Sequence, residues 1–135
     1  ESAAYFSDNL EPLEKSGRLR LIEKEGEWIE GISLRIFNGH TRGQLIPVID
    51  TGKGKVVFAG DFIPALAYIP IPYVPAVDIE PLLSMTEKES FLEEALKNDY
   101  ILFFEHDYYH EACRLAAGKK GVEAGEIFKI TNLNS

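Results

Sequence analysis

At 135 residues, 45% of them hydrophobic, the chain is long enough to fold as one domain with a real core. A formal charge of -8 repels phosphate backbones, and the lone Lys119-Lys120 pair and the alternating Arg18 and Arg20 make no basic patch, so nucleic acid is excluded as a partner. No run approaches the roughly 20 apolar residues of a membrane span and no basic start precedes an apolar stretch in signal-peptide fashion, so a soluble chain with no membrane partner is expected; the single cysteine, Cys113, has no partner for a disulfide or a cysteine metal knuckle and reads as a small buried hydrophobe.

The chain opens at Glu1-Ser2-Ala3-Ala4 without an initiator Met, so its native start is expected elsewhere; a cytoplasmic location is expected, with export left open. Ser2 to Ser16 is mixed and polar, and predicts the tail of a helix, broken at Pro12, then a loop. Near alternation from Arg18 to Lys24, a turn at Gly26 and alternation through Ile32, Leu34 and Ile36 predict a half-buried antiparallel pair. Gln44 to Asp50 and Lys55 to Ala59 predict a hairpin through Thr51-Gly52-Lys53-Gly54, whose glycines allow the positive φ such a turn demands. After Asp61, the prolines Pro64, Pro70, Pro72 and Pro75 forbid regular structure and predict an ordered apolar loop.

Thr86 with Glu89 gives a capping-box signature for a helix that runs to Asn98, with Phe91, Leu92, Ala95 and Leu96 on its core face and the Glu87 to Glu94 charges in solvent. Tyr100 to Phe104 reads as a short apolar strand, and Ala112 to Ala117 and Glu126 to Ile130 as two more around a Gly118 to Gly121 turn. No internal repeat or low-complexity segment interrupts this order.

Three metal-capable side chains stand where strand-like runs give way to loops: His40, Asp61 and His106. Such positions are held by backbone pairing while the side chain projects from the sheet end, so three of them can converge on one ion. Two imidazoles and a carboxylate suit zinc or another divalent metal, although a complete site wants more protein ligands. Taken singly, His40 is equally a turn histidine satisfied by backbone and Asp61 equally a cap. Asp107 and His110 read as solvent-facing.

Gly39-His40-Thr41-Arg42-Gly43, Val56-Val57-Phe58-Ala59-Gly60-Asp61 and Phe103-Phe104-Glu105-His106-Asp107, in that order, resemble the C-terminal half of a metallo-β-lactamase-fold hydrolase. The stretch from Pro70-Ile71-Pro72-Tyr73 to Asp78-Ile79-Glu80-Pro81 is similar to the branch holding lactonases and related ester or phosphotriester hydrolases, and the resemblance runs from about Asn9 to about Gly121. It implies an α/β fold: the C-terminal half of an αββα sandwich, a mixed and mainly antiparallel sheet with one main amphipathic helix. Residues 1–135 are then a single partial domain.

In the complete domain the resemblance implies two divalent ions, with His40 on the first, Asp61 bridging both and His106 on the second, activating a water against a lactone, ester or phosphoester. Thr41 would orient His40 from behind. Tyr68 stands where relatives often carry a histidine, and Tyr68 and Tyr73 are expected to line the pocket of a small-molecule substrate. The family's His-x-His-x-Asp-His motif is absent, since the only histidines are His40, His106 and His110. The implied site is therefore incomplete and the isolated chain is expected to be inactive. An apolar sheet face would lie open to a second copy or to a separate N-terminal half. Two alternatives remain at this stage: a fragment of an iron-dependent oxidoreductase of the same superfamily, and a non-catalytic protein-interaction module.

Overall fold

The computed structural model describes residues 7–134, so the part of the expected N-terminal helix before Ser7 lies outside the described residues. Helix α1 (Ser7–Lys15) runs through Pro12 instead of breaking there. Pro12 removes one early N–H, but its carbonyl still accepts from the Ser16 N–H at 3.0 Å, and the helix ends at Gly17, whose φ is +67°.

The first antiparallel pair is shifted from the expected register. Strand β1 (Gly26–Ile29) begins at the glycine expected to turn, and it pairs with β2 (Ile32–Phe37) across a turn at Gly31. Gly26 faces Leu34, so an earlier start would set Lys24 against Ile36. Instead the Glu25 carboxylate accepts the Ile36 N–H at 2.9 Å, taking the bond that a longer strand would have used. Residues 18–24 are thereby left without strand structure, and Leu19 and Leu21 are exposed.

Strands β3 (Gln44–Asp50) and β4 (Lys55–Phe58) form the expected hairpin. Its turn is closed by the Thr51 N–H and hydroxyl, both donating to the Gly54 carbonyl (3.0 and 2.8 Å). The chain then crosses over. The proline-rich stretch is ordered, with one 3-10 turn at Leu66–Tyr68, and leads into helix α2 (Pro81–Lys97).

Helix α2 begins at Pro81, not at a Thr86 cap. Proline presets φ at the first helical position, and the Ser84 N–H reaches the Glu80 carbonyl at 3.0 Å. Thr86 sits inside the helix, its hydroxyl bonded back to the Leu82 carbonyl. Strands β5 (Ile101–Phe103), β6 (Ala112–Gly118) and β7 (Gly121–Phe128) complete one seven-stranded sheet in the order β1 to β7, antiparallel throughout except for the parallel pair β4–β5. Strand β7 starts at Gly121, earlier than the expected Glu126, because the Gly118–Gly121 turn pairs its own two glycines; Ile130 falls in a closing 3-10 turn.

The core lies between one sheet face and the crossover. Phe37, Ile46, Val48, Val57, Leu102 and Cys113 meet Phe62, Ile63, Ile69, Phe91, Leu92 and Ala95, with the Phe37 and Phe62 rings stacked 3.7 Å apart. Cys113 is the buried hydrophobe expected, its thiol pKa pushed up to about 12 by burial. On the opposite face, Val56, Ile101 and Ala112 are covered by Phe128, Ile130 and Leu133, whereas at the β2–β3 end Ile32, Ile36, Pro47 and Ile49 are only half-buried and Leu45 is exposed. No helix among the described residues is long and apolar enough to cross a membrane.

Leu102 is 0% exposed and Leu21 77% exposed. Leu102→Ala is expected to cost about 2–5 kcal/mol in urea denaturation, as for a core cavity. Leu21→Ala, outside any strand, should stay within about 0.5 kcal/mol of wild type.

Candidate metal centre

Strands β2, β4 and β5 point the same way, so the loops after them emerge at one edge of the sheet. After β2, the N–H groups of Asn38 and Gly39 donate to the Glu87 carboxylate on α2 (2.9 and 3.0 Å). Gly39 packs so closely on Ser84 that a Cβ there would overlap the helix backbone. After β4, the Ala59 N–H donates to the Phe103 carbonyl, and Gly60, at φ +49°, turns Asp61 outward. After β5, the His106 N–H is fixed to the Pro64 carbonyl at 3.0 Å.

The three expected residues converge. His106 Nε2 lies 3.0 Å from one oxygen of Asp61, and His40 Nε2 lies 3.6 Å from the other. The two sides differ in environment, the His40 side chain being 14% exposed and that of His106 57%.

His40 Nδ1 is 2.8 Å from Asp78 Oδ1, and the Ser84 hydroxyl donates to Asp78 Oδ2 at 2.5 Å. A carboxylate only accepts, so Nδ1 is the donor to Asp78, which leaves Nε2 as the nitrogen that faces Asp61. Asp78, with a side chain 2% exposed, thus does what Thr41 was expected to do. Glu105 adds a further oxygen: Asp61, Glu105 and His106 each place a donor atom within 4.8 Å of the others. Imidazole and carboxylate donors suit a borderline divalent metal such as zinc; Asp61, Glu105 and His106 are the group that could hold one, with His40 Nε2 standing 3.6 Å from Asp61 beside them.

Tyr68 is half-buried on the 3-10 turn and Tyr73 is exposed; neither hydroxyl bonds to His40, Asp61 or His106 among the described residues. Their backbone carbonyls, with that of Pro70, accept from Lys88 Nζ on α2. The Glu87 to Glu94 charges are therefore solvated only in part: Glu89 and Glu93 are exposed as expected, and the others are not. Glu87 holds the His40 loop, Lys88 is buried and Glu94 pairs with Arg35. Burial puts the Lys88 ammonium at a disadvantage and lowers its pKa to about 8, with the charge of Asp78 opposing the shift.

Asp107 is also no surface residue. It accepts the N–H groups of Leu66, Tyr109 and His110, each at 3.0 Å. Burial raises its pKa, but these bonds and the His110 ring outweigh that and hold the carboxyl below the usual value. Sequence reasoning missed Asp78, Ser84, Glu87, Lys88 and Glu105. One signal was present: Ser84 and Lys88 continue the stripe of Phe91, Leu92 and Ala95 at helical spacing.

No protein-family model and no curated protein matches the sequence. Solved structures do match. A probable metal-dependent hydrolase from Staphylococcus aureus superposes with a TM-score of 0.72 at 29% identity, over 84% of this chain and 40% of its own. An N-acyl homoserine lactone hydrolase with N-hexanoyl-L-homoserine at its catalytic metal centre gives 0.59 at 26% identity, over 66% and 36%. AidC, a dizinc quorum-quenching lactonase, shares the fold with a TM-score of 0.70 at 18% identity, over 90% and 43%. The chain thus spans about two-fifths of the length of the structures it matches.

Long-range proton–nitrogen correlation spectra should show His40 as the Nδ1–H tautomer. Asp78→Ala should mix the tautomers and weaken cobalt(II) binding to this chain by about 10–100-fold, the usual cost of losing a histidine's carboxylate partner. Lys88 gives a pH signature. Between about pH 8, its folded value, and 10.5, its unfolded one, the unfolded chain binds the extra proton, so this group makes stability rise with pH across that window and contributes no slope below it. In urea denaturation, the stability of the wild type relative to Lys88→Met should rise across that window, over the fall that the buried Cys113 thiol imposes on both proteins above about pH 9.

Proposed function

Because this chain has the fold of the C-terminal half of the metallo-β-lactamase sandwich, shared with metal-dependent hydrolases and lactonases, we propose that it is the C-terminal portion of a metal-dependent hydrolase acting on a lactone, ester or phosphoester. The observation that carries this reading is the pair of imidazole nitrogens set against opposite oxygens of Asp61. One carboxylate approached from both sides is the arrangement a bridging ligand requires. In this reading His40 and His106 are terminal ligands and Asp61 the bridge, with zinc the metal that suits the donors best.

Bound divalent ions would supply Lewis acidity toward a carbonyl or phosphoryl oxygen and lower the pKa of a water to near neutrality. The chain's own residues do the rest. Asp78 and Ser84 orient His40; the His106 N–H, tied to Pro64, sets the second imidazole beside Asp61. Tyr68 and Tyr73 wall the substrate side, where their hydroxyls can donate to a substrate oxygen. The homoserine-type product bound by the lactone hydrolase it resembles favours a lactone within the three classes.

The half-buried apolar surface at the β2–β3 end is where the remaining half of the sandwich would pack. Alone in solution, the chain should cover it with a second copy, and light scattering should give a mass above 15.1 kDa that rises with concentration. A lactone panel with stoichiometric zinc should show no turnover, because the donors present hold too few bonds to each ion. Turnover by the chain alone would overturn that part. When a segment bearing His-x-His-x-Asp-His is supplied in trans, hydrolysis should appear, and Tyr68→Phe or Tyr73→Phe should then change its kinetics.

A further inference from the structure

Helix α2 carries a lysine where its stripe calls for an apolar residue. Lys88 is 2% exposed, and its Nζ donates to three backbone carbonyls: Tyr68 at 2.9 Å, Pro70 at 3.0 Å and Tyr73 at 2.6 Å. An ammonium has three N–H bonds, and all three are used. The match has a cause in the loop's composition. Pro64, Pro70, Pro72 and Pro75 contribute carbonyls but no N–H groups, so this stretch has more acceptors than donors and no ladder to satisfy them. An apolar side chain at position 88 would fill the space and leave those carbonyls unpaired inside the fold.

Lys88 is also placed beside the centre. One turn earlier on the same helix, Ser84 holds Asp78, which holds His40, and the neighbouring Glu87 takes the N–H groups of Asn38 and Gly39. A single helical turn, Ser84 to Lys88, therefore fixes both the loop that carries His40 and the loop that carries the two tyrosines. Because both loops are bonded to the same helical turn, the distance between them is set by the helix and not by either loop.

We propose that Lys88 is a positioning residue, whose ammonium pins the Tyr68–Tyr73 arc to α2 and so sets where both tyrosines stand relative to His40 and Asp61. Its importance for catalysis rests on the reading of Tyr68 and Tyr73 as the substrate wall. The geometric role does not. Lysine is suited to it because a tetrahedral ammonium can reach acceptors on three sides, whereas a planar guanidinium or a shorter amide cannot.

The test uses the 135-residue chain labelled with nitrogen-15 and carbon-13. In the wild type, the Lys88 ammonium should be protected from water and show through-hydrogen-bond couplings from Nζ to the carbonyl carbons of Tyr68, Pro70 and Tyr73. In Lys88→Met, amide exchange at Tyr68, Ile69 and Tyr73 should accelerate by about tenfold or more, while β3 to β5 stay within about threefold of wild type, the mark of a local opening. An ammonium in free exchange with water, or loop amides that change no more than the sheet, would overturn the proposal. If Lys88→Met does not fold, the wild-type couplings decide it. Neither readout involves metal, substrate or a tyrosine hydroxyl, so failure of the substrate-wall reading in Tyr68→Phe and Tyr73→Phe kinetics is distinguishable from failure of the clamp.

Discussion

The parallel pairing of β4 with β5 is the constraint from which the rest follows. Val56 to Phe58 run beside Ile101 to Phe103 in the same direction, in a sheet otherwise antiparallel. Parallel neighbours cannot be joined by a tight turn, so the chain must travel back along the sheet between them. That return carries the proline loop and α2 and supplies the apolar cover for one face. The same pairing puts the C-terminal ends of β4 and β5 at one edge, and two antiparallel steps bring the end of β2 there as well. His40, Asp61 and His106 meet because three strands share a direction.

A crossover of that length needs its own anchors, and α2 provides them through polar groups. Ser84, Glu87 and Lys88 together satisfy a carboxylate, two N–H groups and three carbonyls on the loops around them. Buried polar groups are costly unless fully paired, and here the pairing is complete, with no buried side-chain polar atom left unpartnered among the described residues. Specificity follows from that cost. Any slip of α2 along the sheet would break several of these bonds at once, so the helix register and the loop positions are fixed together.

What the sequence made legible was local. The Thr51-Gly52-Lys53-Gly54 turn, the proline loop, the end of α2 at Asn98 and the strand ends bearing His40, Asp61 and His106 depend on neighbours within a few residues. The family resemblance added the architecture, and the solved structures bear out that fold. What escaped depended on distant partners. The start of β1 is decided by a Glu25 carboxylate that reaches Ile36, and the start of α2 by Glu80, whose N–H is held to the Gly39 carbonyl at 2.9 Å. Asp78 and Lys88 look like ordinary surface charges in sequence, because charge alone does not say that a loop with too few donors, or a histidine needing an orienting partner, will fold over them.

The two sides of the centre are unequal in a way that bears on how the site is completed. His40 sits in a walled position, its ring locked by Asp78 and backed by α2, so its orientation is set within the chain. His106 and Asp61 are open to solvent, and Glu105 stands with them on the exposed side. Two carboxylates at close quarters repel one another unless a cation or a proton intervenes, and in water that repulsion is softened by solvent. Covering this side with another protein segment would remove the solvent and sharpen the repulsion, which raises the gain from binding a divalent ion there. In the proposed hydrolase, closing the sandwich and loading the metal would therefore be coupled: the half described here orients His40 in advance and leaves the other side to be organised by what packs against it.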